Sequence, residues 1–206
     1  MVSEHKYKLL GRKTSGNVQK IIFMLEEMQA DYEQIDFGRQ FNNTQTPEYK
    51  ALNPTSKVPT LIDGGHVIWE SNTILRYLAN VGMNALTGSS PFEKSEVERW
   101  MDFILAAINP GYLSAFKGAK LPPEQRDPEY KRQIDDLIVQ MEIFDIHLKN
   151  KKFIALDKLT IADIACAPIL KRCVGFAIER HKMQNLEDWV ENIAMRPAFK
   201  RAVEVL

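Results

Sequence analysis

Two short stretches of this 206-residue chain hold the side chains best placed to do chemistry. Lys57-Val58-Pro59-Thr60-Leu61-Ile62 reads as a strand opening on Val-Pro. That pair is a candidate cis peptide, since proline is the residue before which the cis form is accessible. After a turn at Asp63-Gly64-Gly65, Trp69-Glu70-Ser71-Asn72-Thr73-Ile74 reads as a strand passing abruptly into a helix that opens on a carboxylate and a hydroxyl. A backbone edge ahead of a proline, beside such a helix start, suits a small peptide gripped by its main chain. Glu70-Ser71 alone is an ordinary helix cap. Its company with Val58-Pro59 and the hairpin is what makes a ligand site.

The elements that must position these residues alternate over the first eighty positions. Tyr7 to Leu10 is a short strand ending at Gly11, and Val18, Ile21, Ile22, Leu25 and Met28 then fall on one helical face. Tyr32 to Phe37 returns to a strand pattern. Thr46-Pro47-Glu48 opens a helix with a capping hydroxyl and a proline at its first position, and Asn53-Pro54 stops it. Val58 to Ile62, the glycine turn, and Val67 to Trp69 form a hairpin, and a helix runs from about Ser71 to Asn80. The order βαβαββα predicts a small mixed sheet with helices on its faces.

Gly82, Gly88, Ser89, Ser90 and Pro91 then punctuate a linker. The expected division is residues 1–81, a linker at 82–90, and an all-helical part at 91–206. Its long amphipathic segments are Ser95 to Phe116, Tyr130 to Leu148 and Trp189 to Val203. Thr160-Ile161-Ala162-Asp163 is a short variant of the capping box, and Pro168 should kink the helix it starts.

Other chemistries find little support. Acidic and basic side chains balance at 27 each, so no strong field draws nucleic acid or an anionic membrane. No apolar run approaches the roughly 20 residues that span a bilayer, and no secretory signal opens the chain, which makes the cytoplasm the expected address. Cys166 and Cys173, if on one helix, stand roughly 10 Å apart, too far for a disulfide. His5, His66, His147 and His181 share no metal-ligand spacing. Gly11-Arg12-Lys13-Thr14-Ser15-Gly16 imitates the start of a phosphate-binding loop, but Asn17-Val18 follows where lysine and a hydroxyl would be required.

Taken together, Pro47-Glu48-Tyr49, Leu52-Asn53-Pro54, Lys57-Val58-Pro59-Thr60-Leu61, Glu70-Ser71-Asn72-Thr73-Ile74-Leu75-Arg76-Tyr77-Leu78 and Thr160-Ile161-Ala162-Asp163 resemble the soluble glutathione transferases. The likeness spans nearly the whole chain. It implies an α/β thioredoxin-like domain followed by an all-α domain, and glutathione as co-substrate. It places the cysteinyl main chain on Val58, with Pro59 cis. The γ-glutamyl carboxylate would meet the helix start, which Ser71 would cap, the ammonium group Glu70, and the glycine end Lys57 and Gln40.

The resemblance also implies that the cofactor's thiol must ionise. A free thiol has a pKa of about 8.5, and lowering it by two units takes roughly 2.7 kcal/mol. Donors in the turn Thr14-Ser15-Gly16-Asn17, at the start of the first helix, are expected to supply it. Ser15 matches a serine-type pattern, with Asn17 as a second donor. Ser15-Gly16-Asn17 also resembles the Thr-x-Asn arrangement of a disulfide-reducing bacterial branch. Ser15 is equally well suited to capping the helix. On the same basis the helical domain would seat a hydrophobic electrophile against Tyr112 and Phe116, and the protein would be a homodimer acting in detoxification without a metal. Two rival expectations are a glutathione-dependent disulfide or peroxide reductase, and a catalytically silent binding module.

Overall fold

The computed structural model describes residues 7–203. By contact they form two units, one of residues up to 87 together with those from 195 onward, the other of residues 88–194.

The first unit is built on a four-stranded sheet of order β2-β1-β3-β4, with β1 Tyr7–Leu10, β2 Tyr32–Ile35, β3 Thr60–Asp63 and β4 His66–Trp69. β1 runs parallel to β2 and antiparallel to β3, and β3 is antiparallel to β4. Three helices complete the predicted order: α1 Gly16–Glu27, α2 Pro47–Leu52 and α3 Ser71–Gly82. α2 opens as its sequence requires, with the Thr46 hydroxyl accepting from the Tyr49 N–H at 3.3 Å. The hairpin turns on Gly64 and Gly65 alone; Gly64 has φ of 57°, in the region where a side chain is strained.

β3 begins at Thr60, two residues later than the sequence reading placed it. Pro59 has no N–H to give to the ladder, so the Val58-Pro59 corner stands outside the sheet. The Val58–Pro59 bond is cis.

One face of α1 was expected to be buried, yet Val18 and Ile21 through Leu25 are all enclosed. The reason is α9 Pro197–Val203, which packs along α1. Phe199 meets Phe23 edge to face with centroids 5.2 Å apart, and the Arg196 guanidinium grips the Glu27 carboxylate at 2.7 and 2.8 Å. The last stretch of sequence therefore groups with the first unit, although the chain order had assigned it to the helical part.

The second unit is helical: α4 Pro91–Phe103, α5 Asn109–Gly118, α6 Tyr130–His147, α7 Ile161–Gly175 and α8 Gln184–Ala194. The long helix expected from Ser95 to Phe116 is interrupted by a π turn at Ile104–Ile108. Pro110 explains it, because its missing N–H and bulky ring cannot continue an α-helical register. The segment expected to run from Trp189 to Val203 likewise breaks between α8 and α9, just ahead of Pro197. α7 continues through Pro168. Asp163 accepts from the Thr160 N–H at 2.9 Å, the Thr160 hydroxyl at 3.0 Å and the Ile154 N–H at 2.8 Å. Among the described residues no helix is long and apolar enough to cross a membrane.

Candidate functional site

Strand register decides which loops share a neighbourhood. Leu10 pairs with Ile35 and with Thr60, and Thr60 pairs with Trp69. Gly11, Asp36, Pro59 and Glu70 therefore all leave the sheet at the same end. Each leads to sequence-predicted residues: the turn with Ser15 and Asn17, the loop with Gln40, the Lys57-Val58 corner, and the start of α3.

Packing at that end is tight enough to require glycine. A Cβ on Gly11 would lie 2.5 Å from a Val18 methyl and 3.3 Å from the Val58 Cβ. One on Gly38, whose φ is 86°, would lie 2.9 Å from an Arg12 guanidinium nitrogen and 3.4 Å from a Val58 methyl. Val58 is thus wedged between the turn after β1 and the loop after β2. Its own N–H and C=O have no partner among the described residues. Lys57 and Gln40 are exposed.

The two helix starts differ in a useful way. Ser15 occupies the N-cap of α1 with extended backbone, φ −85° and ψ 124°, and its carbonyl accepts from Gln19 at 2.9 Å. Its hydroxyl makes no capping hydrogen bond. The side chain is buried in the turn without being spent on the helix. Asn17 is half-buried in the first helical turn, and Thr14 is exposed.

At α3 the expectation that Ser71 caps the helix is corrected. Ser71 is the first helical residue, and the cap position is Glu70 with φ 67° and ψ 117°. A non-glycine residue held there costs on the order of 1–3 kcal/mol and persists only where its surroundings enforce it. The Glu70 side chain is exposed and makes no cap bond. The start of α3 thus presents the positive end of the helix dipole, a natural seat for a carboxylate.

Comparison with known proteins bears on this geometry. A family model described as glutathione S-transferase, N-terminal domain matches residues 5–80, and its C-terminal counterpart matches residues 95–197. The glutathione S-transferase GstB of Escherichia coli strain K12 is 32% identical over 205 residues, covering 96% of this chain and 97% of the relative. The chain belongs to the glutathione S-transferase family. A theta class member from Xanthomonas axonopodis pv. citri, solved with glutathione bound, is 31% identical with a TM-score of 0.89, covering 98% of this chain and 99% of that one. Ure2p in complex with glutathione, at 23% identity and a TM-score of 0.87 over 97% of this chain and 99% of that one, shares the fold.

Family membership fits the sheet-end cluster, and the helical unit holds the other residues singled out. Met101, Ile104 and Ile108 are core, whereas Leu105 is exposed. Tyr112 is enclosed: its hydroxyl accepts from Arg172 at 3.2 Å, and its ring stacks on Phe176 and neighbours Phe116. Phe116 is half-buried beneath the Lys120 ammonium group, 4.6 Å from its centroid. Cys166 and Cys173 are buried in α7 and not joined in a disulfide, and burial pushes the Cys173 thiol up to about 12. His147 lies 2.6 Å from the Ile154 carbonyl, and His5 lies outside the described residues.

Two residues of this region had been quoted only as part of a motif. Tyr49 and Asn53, from α2 and its end, both reach the corner that carries Val58. The Tyr49 hydroxyl bonds the Lys57 carbonyl at 2.6 Å and the Thr60 hydroxyl at 2.9 Å, and the Asn53 amide donates to the same two oxygens at 3.0 Å each. The signal available in sequence was their spacing ahead of Lys57, which has no meaning until α2 folds back.

Proposed function

We propose that this protein is a glutathione transferase that conjugates the glutathione thiolate to hydrophobic electrophiles. The observation that carries the reading is Val58, whose N–H and C=O at the sheet end have no partner among the described residues. An extended cysteinyl unit laid alongside exchanges two hydrogen bonds with it, as one residue pair does in an antiparallel ladder. The γ-glutamyl carboxylate takes the amides opening α3 and the Ser71 hydroxyl, while Glu70 takes the ammonium group. Lys57 and Gln40, exposed beside the corner, serve the glycine carboxylate.

The sulfur then rests at the start of α1. The uncapped Ser15 hydroxyl donates to it, Asn17 adds an amide donor, and the helix dipole favours the anion. The thiol proton passes to solvent. The thiolate attacks an electrophilic carbon, a sulfur–carbon bond forms, and the leaving group departs with the bonding pair. Positioning supplies the acceleration, so neither a metal nor a covalent protein intermediate is required. Phe116, half-buried, offers an aromatic face for the electrophile, with the Tyr112 ring behind it. A homodimer, a detoxifying role and a cytoplasmic location complete the reading.

Calorimetric titration with glutathione, followed by turnover of an activated aromatic chloride, tests it. Binding and conjugation are expected; no heat at millimolar glutathione overturns the reading in favour of a silent module. The Ser15-Gly16-Asn17 turn also suits glutathione-dependent disulfide reduction. Faster turnover of hydroxyethyl disulfide than of the chloride would favour that second reading.

A further inference from the structure

We propose that Tyr49, Asn53 and Thr60 form a positioning device that aims the main chain of Val58 at glutathione, an inference that rests on the function proposed above. Their bonds close a ring. Tyr49 donates its hydroxyl proton to the Lys57 carbonyl, Asn53 donates one amide proton to that carbonyl and the other to the Thr60 oxygen, and the Thr60 hydroxyl proton goes to Tyr49. Every donor and acceptor is consistent with that circuit. The second face of Asn53 is occupied as well, its carbonyl accepting from the Thr55 N–H at 3.0 Å and the Thr55 hydroxyl at 2.7 Å.

The consequence follows from peptide geometry. The unit joining Lys57 to Val58 is planar and trans, so its C=O and N–H point in opposite directions. Two donors drawing the Lys57 carbonyl toward α2 turn the Val58 N–H the other way, where it has no partner in the described chain. Both lone pairs of the carbonyl are engaged, which holds the plane against rotation as well as tilt.

The ring is built to be rigid. Tyr49, Asn53 and Thr60 are 1%, 1% and 0% exposed, so water cannot replace a lost member cheaply. The Tyr49 ring also stacks on Phe37 with centroids 5.0 Å apart, tying the device to the chain beyond β2. Thr60 pairs with Leu10 and Trp69 in the sheet, so the device is anchored to the strand ends that hold the other loops.

Neither Tyr49 nor Asn53 is expected to touch glutathione. Their substitution should therefore change affinity without changing the chemistry of bound thiol. The test compares Tyr49→Phe, which keeps the stacked ring, with the wild type. Expected are a Kd and a KM for glutathione about tenfold higher, the worth of roughly 1.4 kcal/mol, with kcat at saturating glutathione and the pKa of the bound thiol unchanged. Thr60→Val, which leaves both donors on the Lys57 carbonyl, should raise Kd by only about threefold; it also provides the readout if Tyr49→Phe does not fold. In the ligand-free protein the Val58 amide of Tyr49→Phe should lose order by NMR relaxation. Unchanged Kd in a folded Tyr49→Phe overturns the proposal, as does a fall in kcat with Kd intact. Failure of the wild type to bind glutathione overturns the functional reading itself and this inference with it, whereas wild-type binding with an indifferent variant overturns only the inference.

Discussion

Two corners of this molecule use one device for opposite ends. In the first unit, Tyr49 and Asn53 fasten Lys57 and Thr60; in the second, Asp163 fastens Thr160 and Ile154. In both, buried side chains bond main-chain groups that no strand or helix serves. The first corner is neutral, and burial raises the Tyr49 phenol so that it stays protonated. It leaves a residue, Val58, whose N–H and C=O have no partner among the described residues. The second is a carboxylate spent on the Ile154 and Thr160 N–H groups and the Thr160 hydroxyl, with the Trp189 side chain lending a further donor. What distinguishes a binding edge from a fold clasp is thus the main chain that remains unpaired.

Substitution at each corner should move a different quantity, and the largest expected effect lies at the second. Asp163→Asn should lower stability by about 3 kcal/mol, read as the urea midpoint, because a buried network loses an acceptor. It should leave the Kd for glutathione unchanged. Burial pushes the Asp163 carboxyl up from 3.8 to about 6 against the pull of its donors. A carboxyl raised on folding lends stability that is complete below pH 3.8 and lost as pH climbs through 6, so this slope should flatten in Asp163→Asn. His147, whose imidazole burial holds down, runs the opposite way, losing stability as pH falls below 6.5.

Next in size are the residues proposed to meet glutathione beside the first corner. Ser15→Ala should return the bound thiol toward its free pKa of about 8.5 and cut kcat at neutral pH by one to two orders of magnitude, on the order of 2 kcal/mol. Glutathione affinity should hold. An unchanged thiol pKa would move the role to Asn17 or the α1 amides. Glu70→Gln should weaken glutathione binding by about fivefold, since it removes a charge from the ammonium group while keeping the backbone. The smallest effect is at Ser56, which sits at φ 55° ahead of Lys57. Ser56→Gly should stabilise by about 0.5 kcal/mol through relief of left-handed strain, with little change in Kd.

Local chemistry was readable from sequence wherever a residue acts on its neighbours. Thr46-Pro47, Gly64-Gly65 and Thr160-Asp163 each specified their own turn or cap, and Tyr7 to Leu10 was bounded by Gly11. The misses share a cause, which is that the deciding partner lies far along the chain. Pro59 fell outside β3 because a proline cannot enter the ladder that Leu10 and Trp69 build around Thr60. Glu70, rather than Ser71, took the cap because a strand end and a helix start had to meet there. α1 is enclosed beyond its apolar face because α9 covers it from the far end of the sequence. Pro110 and Pro197 were visible and their effect was physical, yet the amphipathic pattern around each runs on and masks the break. Tyr49 and Asn53 stood in a quoted motif, but their partner, the Lys57 carbonyl, is backbone and carries no sequence signature.

The central claim is that glutathione pairs with the main chain of Val58. Hydrogen exchange resolved at the Val58 amide, with and without saturating glutathione, tests it most directly. The account predicts exchange that is fast in the free protein and slowed at least tenfold on binding, as expected when a free donor acquires an acceptor. Binding with the Val58 exchange rate unchanged would contradict it.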